Sequence, residues 1–184
     1  MDDAIVMRID DSPVRLVLDD REPRDHSVVL RTLAHTESGL RKRATVVSES
    51  FGGTGWSIAS DEGAYLGGAD SAPAPLVYFA AGLACCLLTQ LTRYHRAKHL
   101  DVRGMSIEQV FTFTRTGSVL AGTFLAGAHS VHTVLSIDSS EPPDRLAELA
   151  RMGERMCFAA QAIMGEVPCT LELVTSDSAA CDER

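Results

Sequence analysis

The side chains best suited to chemistry are five cysteines: Cys85, Cys86, Cys157, Cys169 and Cys181. A thiolate can serve as nucleophile, metal ligand or two-electron reductant, and its neighbours decide which. Metal ligation has no matching pattern. The chain has no C-x-x-C, no H-E-x-x-H and no acidic calcium loop. His95 and His99 lie four apart in a helical stretch, with no carboxylate or third ligand close in sequence. They read as part of a solvated basic face. His129 and His132 are three apart, so on a strand they point to opposite sides. No metal is therefore expected. Phosphate-binding glycine loops and the G-x-S-x-G nucleophile elbow are also missing. Taken singly, a cysteine is usually a small buried hydrophobe. Cys169 and Cys181, near the C-terminus, read as structural or incidental.

Composition narrows the field. The chain has 184 residues, 45% hydrophobic and 23% charged, which fits one ordinary globular domain with or without a tail. Seventeen basic against 25 acidic residues give a formal charge of −8, so no basic nucleic-acid footprint is expected. Aromatics at 5% argue against stacking platforms for single strands. The opening MDDAIVMRIDD lacks a basic region followed by an apolar run, so it is not a secretory signal. The apolar run from Leu76 to Leu88 is too short to span a bilayer. A soluble cytoplasmic protein is expected, in a compartment that keeps thiols reduced.

The elements that must position these thiols follow from periodicity. Residues 1–26 read as a charged, solvated extension, with Val14 to Leu18 a possible short strand. Ser27 to Ser60 reads as a small antiparallel meander, punctuated at Ser38-Gly39 and Gly52-Gly53. A flexible Gly/Pro loop leads to Pro75, which suits the first position of a helix. That helix is expected over Leu76 to about His99. Phe79, Leu83, Cys86, Leu87, Leu91 and Tyr94 form one stripe. Its first half is apolar all round, as in a helix buried in a core or an interface. Its basic end complements the helix dipole. Two strands follow, Val102–Ser118 and Val119–Asp138. A second helix starts near Pro142-Pro143, is interrupted at Gly153 and closes by Gly165. PCTLELV is expected as a final strand, and residues 176–184 as a frayed tail. Strands, long helix, strands, helix, strand is an α+β order.

One segment resembles a known family. PAPLVYFAAGLACC, from Pro73 to Cys86, is similar to the OsmC/Ohr family of thiol-dependent hydroperoxide reductases. There a Pro-initiated, Ala-rich helix carries the reactive cysteine eleven residues after the proline, which selects Cys86 over Cys85. The preceding GG-x-D-x-x-P-x-P, from Gly67 to Pro75, is also like the family pattern. Cys157, eight residues before Gly165, matches the family's second cysteine. TVVSES, from Thr45 to Ser50, resembles its early strand. The resemblance covers roughly Ser27 to Val174 and assigns residues 27–175 to one OsmC-like domain.

The resemblance implies an intertwined homodimer, with antiparallel sheets from both chains enclosing two long central helices. It implies a peroxidase acting on organic hydroperoxides, an antioxidant role in the response to oxidative stress. Cys86 would become a sulfenic acid and Cys157 would resolve it to a disulfide. An external dithiol would reset the pair, with no bound cofactor. The partners implied are a second copy, a small hydroperoxide and the dithiol, with neither nucleic acid nor membrane. A cation must favour the thiolate in an apolar helix. The resemblance assigns that role to Arg41 or Arg43. Phe79, Leu83 and Met156 would line an apolar substrate pocket. The chain departs from the family where a helix-start glutamate usually orients the arginine, because Leu76 and Val77 stand there. Glu62 and Asp70 are the candidates to replace it. The usual proline after the second cysteine is Phe158. Cys85 points about 100° away from Cys86 on a helix, outside the same pocket. The alternative is a family member without efficient turnover that binds a small apolar ligand or senses redox state.

Overall fold

A computed structural model describes residues 4–9, 27–48 and 55–175. The chain divides into two compact units, Met1–Ala81 and Gly82–Arg184.

The first unit is built on a four-stranded antiparallel sheet. Its strands are β1 (Val6–Ile9), β2 (Leu30–Thr36), β3 (Lys42–Ser48) and β4 (Gly55–Ser60), in the order β1-β4-β3-β2. The expected meander supplies β2, β3 and β4. β1 corrects the solvated extension expected over residues 1–26. The sequence Val-Met-Arg-Ile alternates, and it pairs with β4 from Val6↔Ile58 to Ile9↔Gly55. Gly55 permits this approach, because a Cβ there would lie 2.7 Å from Ile9 Cγ1. Gly39 makes the β2–β3 turn at φ +59°, a conformation that favours glycine. Val14–Leu18 and the Gly52-Gly53 turn lie outside the described residues.

The loop after β4 is pinned rather than flexible. Asp61, only 1% exposed, accepts from the amides of Glu62 (2.9 Å), Ala69 (3.2 Å) and Ser71 (3.1 Å). The Ser71 hydroxyl donates to the same carboxylate at 2.8 Å. A buried carboxylate with this many donors fixes the loop that runs into α1 (Pro75–Ala97). The Tyr78 hydroxyl in the first turns of α1 donates to the Ala59 carbonyl at 2.7 Å.

The second unit holds the rest of α1 and a long hairpin, β5 (Val102–Thr116) and β6 (Leu125–Ser139). The connection is wider than expected. It spans 117–124, with Gly117 at φ +79° and no room for a Cβ against the Thr123 carbonyl. A register irregularity separates Thr112↔Ser130 from Phe113↔Ala128, and His129 falls at this bulge. Two helices follow, α2 (Pro143–Met156) and α3 (Phe158–Met164). The core gathers Leu91, Tyr94, Leu100 and Leu149, with Met105, Ile107, Leu135, Ile137 and Met156 packed on it.

Three expectations change in this unit. Gly153 does not interrupt a helix. It lies buried inside α2, where a Cβ would come within 2.3 Å of Leu91 Cδ2, so its role is close helix packing. The break falls at Cys157 instead, in extended conformation at φ −80°, ψ 107°. PCTLELV forms no strand: residues 165–175 are irregular, and Leu171 is 98% exposed. Its alternation suits a strand, but a strand needs a neighbour, and none of the described strands pairs with it.

Although its unbroken apolar run is short, α1 as a whole is 23 residues, long and apolar enough by length and composition to cross a membrane. It also buries Gln90 and ends with His95 and Arg96 in its last turn. In the single chain Leu76, Val77 and Phe79 remain about half exposed. The architecture is α+β with antiparallel sheets.

Candidate active site

Cys86 and Cys157 are brought together in the second unit. Cys86 is half-buried on α1, and Cys157 is 0% exposed at the junction of α2 and α3. Both are free thiols. Cys157 is the N-cap of α3: its Sγ accepts the Ala160 N–H at 3.4 Å. Burial pushes the Cys157 thiol up from its ordinary value. The Ala160 amide opposes that shift, while the adjoining Cys86 thiol adds to it. Of the two, Cys86 is the more accessible sulfur. Cys85 is exposed at the preceding helical position, and Cys169 is exposed in the irregular segment. Cys181 lies outside the described residues.

Arg41 and Arg43 belong to the first unit, where one carboxylate holds both. Glu37 Oε2 accepts from Arg41 Nε and Glu37 Oε1 from Arg43 Nε, each at 2.8 Å. The hairpin dictates this. Glu37 lies opposite Arg41, its amide donating to the Arg41 carbonyl at 2.9 Å. Arg43 is two residues on and therefore shares a face with Arg41. The two guanidinium groups, Arg43 first, hold the Glu37 carboxyl below the usual carboxylate range. Arg41 Nη1 donates to the Ser71 hydroxyl at 2.6 Å, and Ser71 in turn donates to Asp61. Arg43 Nη1 reaches the Ser57 hydroxyl at 3.4 Å. Glu37 is thus the carboxylate that holds both arginines. Glu62 and Asp70 serve the loop through their backbones, with the Asp70 amide donating to the Glu62 carbonyl at 3.1 Å. Glu37 was missed, although its place just before the Ser38-Gly39 turn carried the signal.

The second unit contains a cavity of about 360 Å³, lined by Leu83, Leu87, Val131, Leu135, Ile163 and Met164 among others. Leu83 is on the α1 side of this cavity. Met156 packs against the core, and Phe79 lies in the first unit, 46% exposed. Ala160, whose amide caps Cys157, also lines the cavity. Gln109, Thr133, Arg151 and Glu154 supply its polar edge. Among the described residues no group of three His, Cys, Asp or Glu could hold a metal ion.

This arrangement defines a class. An α+β chain with antiparallel sheets, a Pro-started apolar helix and a second cysteine beside the helix cysteine is an OsmC-type architecture. The family described as OsmC-like protein matches residues 68–172, more than half of the chain. The chain belongs to the OsmC-like family. It is similar to an OsmC-like hydroperoxide resistance protein from Jannaschia sp. CCS1, at 22% identity and a TM-score of 0.54, covering 82% of this chain and 95% of that one. An OsmC-like protein from Mycoplasma pneumoniae is 19% identical with a TM-score of 0.51, covering 77% and 89%. An organic hydroperoxide resistance protein OsmC from Legionella pneumophila is 18% identical with a TM-score of 0.50, covering 76% and 90%. These likenesses are ones of fold. No curated protein matches the chain significantly.

Proposed function

We propose that this chain is a thiol-dependent peroxidase that reduces organic hydroperoxides to alcohols. The observation that carries the reading is the adjacency of Cys86 and Cys157, with Cys157 buried and Cys86 the more accessible sulfur. The Cys86 thiolate attacks the peroxide oxygen, the O–O bond breaks and an alcohol leaves. Cys157 then condenses with the Cys86 sulfenic acid, releasing water and forming a disulfide. An external dithiol reduces that disulfide. Family membership and the hydroperoxide resistance proteins among the similar structures support a peroxide-related role.

The cation assigned to the Cys86 thiolate is the pair Arg41/Arg43, of one chain or of a second copy. Glu37 is their positioning residue, doing what Leu76 cannot. Clamping both guanidinium groups on one carboxylate supports this assignment. The apolar cavity favours organic over small polar peroxides, with Leu83 and the other leucines as its walls.

A homodimer is proposed on physical grounds as well as on the family's. Leu76, Val77 and Phe79 on α1 and Leu171 and Leu173 near the C-terminus leave much apolar surface uncovered in one chain. A second copy would bury it. The reaction needs no bound cofactor, and it suits a reducing compartment such as the cytoplasm. The assay is peroxide consumption with a dithiol donor. Activity in Cys86→Ser equal to wild type would overturn the reading.

A further inference from the structure

Cys157 is both a thiol and a structural cap. Its Sγ accepts the Ala160 N–H, the Ala159 amide also faces it, and the residue has no exposed surface. The helix it caps, α3, has only seven residues and is followed by irregular chain. That same short helix gives Ala160, Ile163 and Met164 to the cavity wall.

The proposed reaction changes the capping sulfur. First, Cys86 sulfur bonds to the peroxide oxygen, the O–O bond breaks, and the alkoxide takes a proton to leave as alcohol. Then Cys157 sulfur bonds to Cys86 sulfur and the S–OH bond breaks. The hydroxide leaves as water with the Cys157 proton. One hydroperoxide accepts two electrons, and two thiols supply them. Afterwards the covalent geometry of the disulfide, rather than the Ala160 amide, dictates where Sγ points.

We propose that α3 is a lid with a redox latch, closed while the Cys157 sulfur caps it and released when that sulfur joins Cys86. The closed lid covers the Cys157 sulfur and walls the cavity. The released lid opens the buried half of the disulfide to the external dithiol, and exchange requires such access. A short helix packed by few residues is the kind of element that opens locally at low cost. The inference rests on the peroxidase reading for its physiological oxidant, but the latch itself requires only the disulfide.

The test is amide hydrogen exchange on the full chain in three states: reduced, treated with tert-butyl hydroperoxide, and treated with the dithiol oxidant diamide. Exchange at Ala160 and Gln161 should rise roughly five-fold or more on disulfide formation, the size of one lost helix cap, with α2 unchanged. Cys86→Ser, which cannot form the bond, should show no such rise. Equal α3 exchange in the reduced and disulfide forms overturns the latch. A disulfide formed by diamide and not by peroxide, with α3 released, supports the latch and counts against the peroxidase. A pair that neither reagent joins overturns both.

Discussion

Glu37 binds Arg41 through one carboxylate oxygen and leaves the other for Arg43, both at 2.8 Å. Two cations on one carboxylate fix two long side chains that would otherwise sample many rotamers. Glu37→Gln keeps the size but loses the charge and one acceptor. Under the proposed function, kcat/KM for an organic hydroperoxide should fall roughly 10- to 100-fold, the range expected for a misplaced charged group. The melting temperature should fall only modestly, because the pair is partly exposed. A variant with unchanged kinetics would remove Glu37 from the site.

Acid should loosen the first unit through two carboxylates. The arginines depress Glu37, and the Ser71 hydroxyl and amides depress Asp61. A carboxyl group with a lowered folded pKa contributes stability above its unfolded pKa, and that contribution is lost as pH falls through the folded one. Chemical denaturation at a series of pH values should therefore show stability decreasing from the ordinary carboxylate range downward. Asp61→Asn should flatten that acid limb. An unaltered limb would contradict the role given to Asp61.

Close packing of α2 on α1 predicts a steric response at Gly153. An added methyl must displace the Leu91 side chain, 2.3 Å from the ideal Cβ. Overpacking of this kind costs about 1–3 kcal/mol, against which a helical Gly→Ala change returns about 1 kcal/mol. Gly153→Leu should be worse than Gly153→Ala. Combining Gly153→Ala with Leu91→Val, which removes the Cδ2 methyl nearest the new Cβ, should recover part of the loss in thermal melts.

Much of the fold is legible in the sequence because its signals are local. Pro75 and a stripe of three- and four-residue spacings mark α1, and alternating β-branched residues mark β3, β4, β5 and β6. Gly39 marks its turn. Other features depend on what lies across from a residue. Glu37 matters because hairpin register sets it against Arg41, and register is not written in composition. Gly153 looks like a helix breaker until Leu91 is seen beneath it. Val6–Ile9 sits among charges yet completes a sheet edge. VPCTLELV has a strand's alternation, but the described chain offers it no neighbour. Of the proposed site, the two cysteines and the arginines carry visible cues. The cavity lining did not, because Val131, Leu135 and Ile163 come from distant segments.

That exposed C-terminal segment supplies a test of the proposed dimer. Leu171 and Leu173 are among the most exposed apolar side chains described. Replacing both with lysine places charge where a second copy would cover them. Sedimentation should show a shift from dimer toward monomer, with the peroxide activity lost in parallel if the site needs both chains. A wild-type protein that sediments as a monomer would refute the dimer.

The proposal that Cys86 and Cys157 form one redox unit is tested most directly by thiol counting after a stoichiometric oxidation. One equivalent of tert-butyl hydroperoxide should remove two thiols per chain from the reduced protein. Peptide mapping should then find a single Cys86–Cys157 bond, and Cys86→Ser should form none. Thiol loss that is the same in Cys86→Ser, or a bond that maps to other cysteines, would contradict it.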